Sequence, residues 1–243
     1  MGRSPRNEVA GGVHHVTARG NRKQDIVRDD VDRRRFVRDF ERVAGDHGWR
    51  VLTWCLMTNH AHLVVETPAA NLGQGMGCLL SRYARVFNDR HELSGHLTQG
   101  RFHSVLVTRE RHFAHLLRYV ALNPVTARLT DDPMRWRWSA HPLLLAQIDG
   151  PLSAWRRVEE LLAVWGGREG RRYRSLLYES PELGPWHEVT TPAPPRPTLE
   201  QLMSHAGLEE AMRAARWEHG YRLREIAEHT GWSVSATHRR TAR

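Results

Sequence analysis

Hydrophobic residues in the first half of the chain follow two different periods, which predict alternating strands and helices. Strands, with β-branched residues in alternating or short continuous apolar runs, are predicted at 13–19, 50–57, 60–66 and 102–108. Helices, in which apolar residues recur every three or four positions, are predicted at 29–47, 72–90 and 111–122. We expect Pro124 to stop the third helix, because proline lacks the backbone donor that a helix interior requires.

The order of these elements, β-α-β-β-α-β followed by a helix, predicts an α+β fold with a ferredoxin-like, split βαβ core. Its sheet would be antiparallel, with both long helices on one face. The opposite face would then be open to a ligand or to the third helix. Only Thr58-Asn59 separates the second and third strands, which predicts a tight turn between antiparallel neighbours.

Three further segments are predicted after a core domain at 1–145. Residues 146–180 are expected to form a helical extension whose tryptophans, such as Trp155 and Trp165, pack on the core. Six prolines between 181 and 198 predict an extended linker. Residues 199–243 predict a small helical DNA-binding domain.

The last of these segments contains the pattern of a helix-turn-helix. The residues expected to pack inward are Leu223, Ile226 and Ala227. Gly231 would supply the turn, and Ser233 or Ser235 would cap a second helix. That helix ends in basic residues, of which Arg239 and Arg240 are candidate DNA contacts. Any helical hairpin would share the apolar spacing, but the glycine, the serine cap and the basic helix together favour DNA binding.

Composition and charge favour a polyanionic partner. The chain has 243 residues, a net charge of +9 at pH 7 and a single lysine, Lys23. Basic surfaces bind nucleic acids because phosphate neutralisation releases counterions, although G+C-rich coding sequence would also enrich arginine. Mean hydropathy is −0.59, and no apolar run approaches the roughly 18 residues that span a bilayer. With two cysteines and no apolar core of a signal peptide, the chain is expected in the cytoplasm.

Two histidines at the start of the third predicted strand, His60 and His62, are the first candidates for chemistry. Side chains alternate along a strand, so both project from one face and can converge on one divalent ion. The alternative is a pair of ordinary strand histidines, since the chain has 16 histidines. His14 and His15 are adjacent, so they face opposite ways and are poorer chelators. His103 is among the histidines with no predicted role.

Tyr119 lies in the third predicted helix and Asn123 directly at its end, four residues further on, so both would point to the same side. A phenol has a pKa near 10 and needs activation to attack at neutral pH. A divalent ion on the scissile phosphate would help, and two neutral imidazoles and an amide would leave that ion strongly electrophilic. Tyr119 could instead be a half-buried aromatic, and Asn123 a helix terminator. Tyr83 lies in an apolar stripe and is expected in packing.

Four segments occur in a distinctive order: HVTARGNRK, LTWCLMTNHAHLVVETP, SRYARVFNDRHELSGHLTQGRF and LLRYVALNPVTARL. Their order and spacing resemble those of the single-tyrosine HUH transposases, and most closely the REP-associated tyrosine transposases, over roughly residues 13–145. The resemblance implies Mg²⁺ or Mn²⁺ on His60 and His62, with Asn123 as a third ligand and Tyr119 as nucleophile. It also implies cleavage and rejoining of single-stranded DNA beside a hairpin, through a 5′-phosphotyrosine intermediate.

Further candidate DNA contacts in the core are Arg19, Asn21, Arg101 and Arg118. Each could equally be a solvated surface residue. The resemblance implies a single-stranded DNA hairpin as partner and a monomer in preference to a dimer. No membrane partner is expected, and the expected location is cytoplasmic and nucleoid-associated. The alternative function is a non-catalytic DNA-binding regulator derived from a transposase. An RNA-binding module is less favoured, because neither central strand displays an exposed aromatic pair for stacking bases.

Overall fold

The structure is a computed structural model that describes residues 8–108, 110–165, 173–178, 198–205, 207–217, 221 and 223–241. The described residues up to Tyr178 belong to one compact unit, and those from Thr198 onwards to a second. The predicted linker, except Thr198, lies outside the described residues, as do residues 166–172 and 179–180 of the predicted extension. None of the described helices combines the length and apolar character needed to cross a bilayer.

An antiparallel sheet of four strands forms the centre of the first unit. Its strands are β1 (Gly12–Arg19), β2 (Arg50–Leu56), β3 (His60–Thr67) and β4 (His103–Leu106). They lie in the order β2-β3-β1-β4, each antiparallel to its neighbours. The core helices are α1 (Asp30–Asp46), α2 (Leu72–His91) and α3 (Glu110–Thr126). Because β3 lies between β1 and β2, the predicted α+β fold with a split βαβ core is confirmed.

Local sequence determines how these elements are joined. Asp29 caps α1 by accepting hydrogen bonds from two backbone N–H groups of its first turn. The N–H of Met57 donates to the carbonyl of His60 at 2.8 Å, which closes the tight turn between β2 and β3. At Gly20, just after β1, a Cβ would collide with the carbonyl of Gln24, so only glycine fits.

The two faces of the sheet carry different helices. Phe40 of α1 contacts Trp54 at a ring-centroid distance of 6.4 Å, and Trp54 is paired with Leu63, so α1 lies on the Leu63 face. α2 packs against α1. α3 lies on the opposite face, because the hydroxyl of Tyr119 is 3.4 Å from a ring nitrogen of His62. The third helix therefore occupies the face that the sequence pattern left open.

The expected end of α3 before Pro124 is wrong, since the helix continues to Thr126 with the proline inside it. A proline removes one backbone donor and crowds the preceding turn. That loss falls here near the end of the helix, and the preceding turn is held against the core by the buried Val120. As a result Asn123 keeps helical geometry, one turn beyond Tyr119.

Three short helices extend the same hydrophobic core: α4 (His141–Leu145), α5 (Trp155–Trp165) and α6 (Tyr173–Tyr178). The N–H of Ala140 donates to the carbonyl of Trp54 at 2.9 Å, which covers the edge of β2. Arg157 of α5 forms a bidentate pair with the buried Glu66 of β3, at 2.7 and 2.9 Å. The bonds of Ala140 and Arg157 thus attach this helical region directly to β2 and β3.

The second unit contains α7 (Leu199–His205), α8 (Leu208–Trp217), α9 (Leu223–Thr230) and α10 (Val234–Arg240). Its buried centre includes Met212 and Ile226. Between α9 and α10, Gly231 has a φ of +72°, a left-handed conformation that glycine adopts without strain. Ser233 caps α10, because its hydroxyl accepts from the N–H of Ala236 at 3.2 Å.

Candidate active site

The register of β1 on its two neighbours gathers polar side chains on one face of the sheet. Thr17 lies opposite His62, and Arg19 lies opposite His60. On the other side of β1, His103 of β4 lies opposite Thr17. Directly paired residues project from the same face, so all five side chains lie on the face that α3 covers. Three strands and a helix that are distant in sequence thus contribute to one site.

Tyr119 and Asn123 both approach His62, so they point to the same side of α3, as their four-residue spacing predicts. The hydroxyl oxygen of Tyr119 and the amide nitrogen of Asn123 each lie 3.4 Å from Nε2 of His62. The rings of His60 and His62 are nearly perpendicular, with centroids 4.8 Å apart. Asn123 is buried, whereas Tyr119 is half-buried. The four predicted site residues therefore form one cluster within a single chain.

Burial keeps the histidine pair uncharged at neutral pH. Desolvation, aided by the charge of Arg19, lowers the pKa of His60 to about 4, and a hydrogen bond with Asn123 opposes part of that shift. Desolvation lowers the pKa of His62 well below 6.5, with smaller contributions from His15, His60 and Arg19. Each neutral imidazole therefore has one ring nitrogen with a lone pair available to a cation.

His60 is oriented by the residue before it. Nδ1 of His60 lies 2.6 Å from the side-chain oxygen of Asn59. The amide nitrogen of Asn59 donates in turn to the carbonyl of Lys23 at 3.2 Å, so its oxygen is the atom that faces the histidine. Nδ1 of His60 is therefore the donor, and its Nε2 carries the lone pair.

The donor set fits a cation that also takes ligands from a substrate. Within the described residues, no group of three or more His, Cys, Asp or Glu side chains could hold a metal. The potential ligands are instead the neutral His60 and His62 and the amide of Asn123. These groups add no negative charge to a bound ion, so the ion would stay electrophilic towards phosphate oxygens.

A cleft of about 340 Å³ opens beside Tyr119. Its lining residues are Thr17, Arg19, His62, Gln99, Arg101, His103 and Tyr119. Arg19 and Arg101 bring guanidinium groups, which suit bidentate contact with phosphate. The cleft therefore combines a phenol, a buried imidazole and two cations, an arrangement that suits a nucleic-acid phosphate.

Residues 95–102 reach this cleft by extending the sheet. Thr98 bridges Gly20, and the N–H of Gln99 donates to the carbonyl of Arg19 at 2.8 Å. This pairing continues β1 beyond its end and brings the side chains of Gln99 and Arg101 into the cleft. The sequence placed Arg101 among the candidate DNA contacts, and the backbone pairing explains its position.

The other candidate DNA contacts lie elsewhere. Asn21 and Arg118 are half-buried and are not among the cleft-lining residues. In the second unit, Arg239 is exposed on α10. Arg240 lies over the ring of Trp232 at 4.3 Å and pairs with Glu209 at 3.3 Å. Of these two arginines, Arg239 therefore has more freedom to contact a ligand.

Sequence reasoning missed His15, which is the neighbour of His62 in the sheet. Its Nε2 lies 3.0 Å from Nδ1 of His62, and desolvation, followed by the charge of His103, lowers its pKa to about 4. Adjacency predicts that His14 and His15 face opposite ways and are poorer chelators, and His14 does face away, opposite Val65. The available signal was alternation along β1, which puts His15 on the face of Thr17 and Arg19.

Tyr83, the other tyrosine considered in the sequence, lies in the core as predicted. It is 2% exposed, and its hydroxyl donates to the carbonyl of Ile26 at 2.5 Å. Desolvation, with the nearby charge of Asp32, raises its pKa above the ordinary value. Tyr83 therefore cannot present an oxygen to the cleft, whereas Tyr119 does.

Comparisons with known proteins concern the same region. Residues 9–123 match the family model described as IS200-like transposase. A solved structure of a REP-associated tyrosine transposase bound to a REP hairpin matches with a TM-score of 0.53 and 17% identity, covering 63% of this chain and 92% of that one. No curated protein matches the chain. The predicted resemblance is confirmed: the family match supports a transposase function, and the structural match shows the shared fold.

Proposed function

We propose that this chain is a metal-dependent transposase that cleaves and rejoins single-stranded DNA through a 5′-phosphotyrosine intermediate. The observation that carries the proposal is the Tyr119 hydroxyl 3.4 Å from Nε2 of His62, with Asn123 on the same helix face. Arg19 and Arg101 line the cleft beside them. This cluster contains a nucleophile, potential metal ligands and phosphate contacts, which are the groups that phosphoryl transfer to tyrosine requires.

Tyr119 is the proposed nucleophile. Its oxygen forms a bond to a backbone phosphorus while the bond from that phosphorus to the 3′ oxygen breaks. One DNA end stays attached to the protein as a 5′-phosphotyrosine, and the other leaves as a 3′-OH that carries, in net terms, the phenolic proton. Rejoining is attack by a 3′-OH on the phosphotyrosine, which returns the proton to Tyr119 and needs no external energy source.

His60 and His62 would hold Mg²⁺ or Mn²⁺ through neutral ring nitrogens, with the side-chain oxygen of Asn123 as a third ligand. A bound ion of this kind stabilises the charge that develops on the phosphate in the transition state. The contribution of the chain itself is to keep the two imidazoles uncharged by burial and to orient His60 through Asn59. Arg19 and Arg101 would position the phosphate against Tyr119.

A hairpin-flanked single strand is the proposed substrate. The structural match is a protein bound to a REP hairpin, which supports a hairpin partner for this chain. Asn21 and Arg118 remain proposed contacts to DNA outside the cleft. In the second unit, α9 and α10 would form a helix-turn-helix that adds contacts to paired DNA through Arg239 and Arg240.

The proposed active unit is a single chain. Tyr119 approaches His62 of its own chain at 3.4 Å, which supports a monomer with a complete site rather than a dimer that exchanges α3. A DNA-cleaving role of this kind also implies a cytoplasmic, nucleoid-associated protein.

A covalent adduct tests the proposal. The full chain is incubated with Mn²⁺ and a hairpin-flanked single strand labelled at its 3′ end, then denatured, so that only covalently bound label migrates with the protein. We expect an adduct with the wild type, and none with Tyr119→Phe or with combined His60→Ala and His62→Ala. Tyr221→Phe, a matched substitution in the second unit, should keep the adduct.

Two results would contradict the proposal. An adduct that persists in Tyr119→Phe would remove Tyr119 as the nucleophile. Hairpin binding without an adduct under any divalent ion would favour the alternative function, a DNA-binding regulator without catalysis.

A further inference from the structure

A third imidazole lies behind the proposed metal ligands. His15 of β1 is 2% exposed, and its Nε2 lies 3.0 Å from Nδ1 of His62. The two rings are stacked, with centroids 5.2 Å apart and planes inclined by 23°. The hydroxyl of Thr17 is farther from the same nitrogen, at 3.4 Å. His15 is not among the cleft-lining residues; it contacts His62, and its ring also lies edge-on to that of Tyr119, with centroids 6.3 Å apart.

The position of one proton decides what this contact does. A neutral imidazole has one N–H and one lone pair, so of two nitrogens that face each other one must donate and the other must accept. When His15 accepts, His62 carries its proton on Nδ1, and its Nε2 keeps the lone pair. When His15 donates, the proton of His62 is on Nε2, and that nitrogen then has no lone pair with which to bind a cation.

A contact at Nε2 of His62 favours the arrangement in which His15 accepts. The amide nitrogen of Asn123 faces Nε2 of His62 at 3.4 Å, and a donor at that position calls for a lone pair on Nε2. The other proposed ligand, His60, has the same form, because its Nδ1 donates to the oxygen of Asn59 at 2.6 Å. Each histidine of the pair would then have one acceptor at Nδ1 and a lone pair on Nε2.

We propose that His15 is a positioning residue that accepts a hydrogen bond from Nδ1 of His62 and thereby turns the lone pair of Nε2 towards Tyr119 and a bound cation. The inference rests on the proposed function for the presence of that cation. Acceptors behind a ligating histidine set its tautomer and ring orientation. The acceptor here is an imidazole instead of a carboxylate, so it adds no negative charge beside a scissile phosphate.

The test compares full-length wild type with His15→Leu and His15→Gln. Leucine occupies the buried space without an acceptor, whereas the amide oxygen of glutamine reaches about as far as Nε2 of histidine. His14→Leu is the matched control, because His14 is equally buried but faces the opposite side of the sheet.

Two measurements decide the role of His15. In metal-free protein, side-chain ¹⁵N NMR of His62 should show the hydrogen on Nδ1 in the wild type and in His15→Gln. By titration calorimetry, His15→Leu should bind Mn²⁺ about 10- to 100-fold more weakly than the wild type. His15→Gln and His14→Leu should bind it about as well as the wild type.

A hydrogen on Nε2 of His62 in the metal-free wild type would overturn the inference, as would His15→Leu binding Mn²⁺ with wild-type affinity. If the wild type bound no Mn²⁺, the proposed metal-dependent function would fail, while the NMR spectrum would still decide whether His15 accepts from His62. If His15→Leu did not fold, the spectra of the wild type and His15→Gln would decide in the same way.

Discussion

In the structure, α3 with Tyr119 and β3 with His62 belong to the same chain. A mixture of two inactive variants tests whether the two elements of one active site also come from the same chain. Tyr119→Phe removes the nucleophile, and His62→Ala removes a proposed ligand, so each variant alone should form no adduct. Four large side chains of α3 are completely buried in the core: Phe113, Leu116, Leu117 and Val120. Burying each contributes about 1.5–3 kcal/mol, so detaching α3 would cost roughly 6–12 kcal/mol before any contact with a partner forms.

That cost opposes exchange between folded chains, and Tyr119 already lies 3.4 Å from His62 of its own chain. We therefore expect no adduct from the two variants, whether they are mixed after purification or co-expressed. If dimers exchanged α3, half of the randomly assembled dimers would be mixed, and one of two sites in each would combine an intact tyrosine with an intact histidine. About a quarter of all sites would then be active. The labelled-hairpin assay measures this directly, with wild type alone at a quarter of the total protein concentration as the calibration. Recovery of about a quarter of the adduct would refute a site within one chain.

Three further predictions concern DNA contacts, stability and the second unit. Arg19→Ala and Arg101→Ala should each weaken oligonucleotide binding and reduce the slope of log affinity against log salt by about 0.7, measured by fluorescence anisotropy; unchanged slopes would exclude them as phosphate contacts. Glu66→Gln should lower the free energy of unfolding in urea by about 1.5–3 kcal/mol, because a buried carboxylate loses charge-assisted bonds to two arginines. Burial alone would raise the pKa of Glu66, but those arginines lower it below 4.5. The difference in free energy of unfolding between wild type and Glu66→Gln should therefore be complete above pH 4.5 and disappear as the pH falls further. A difference that persists in acid would contradict this. Arg239→Ala should weaken duplex binding without changing the melting temperature. Arg240→Ala should lower the melting temperature, because the variant loses the contacts of Arg240 within the second unit. The opposite pattern would mean that Arg240 contacts DNA and Arg239 stabilises the unit.

Spacing within single elements could be predicted because it depends only on local geometry. Alternation along a strand puts His60 and His62 on one face, and helical periodicity aligns Tyr119 with Asn123. A local expectation that failed concerned Pro124, which lies inside α3. A local rule gives the cost of a proline in a helix, but the burial of the preceding turn decides whether the helix continues.

The amino-acid sequence by itself therefore determined the order of strands and helices, the split βαβ arrangement and the two pairs of residues at the centre of the site. Only the tertiary structure decided that α3 covers the histidine face, that His15 lies behind His62, and that Arg101 reaches the cleft. The physical reason is that these three facts depend on strand register and on the burial of apolar faces between segments far apart in the chain. No pattern within one segment specifies which residue of another segment it will lie against.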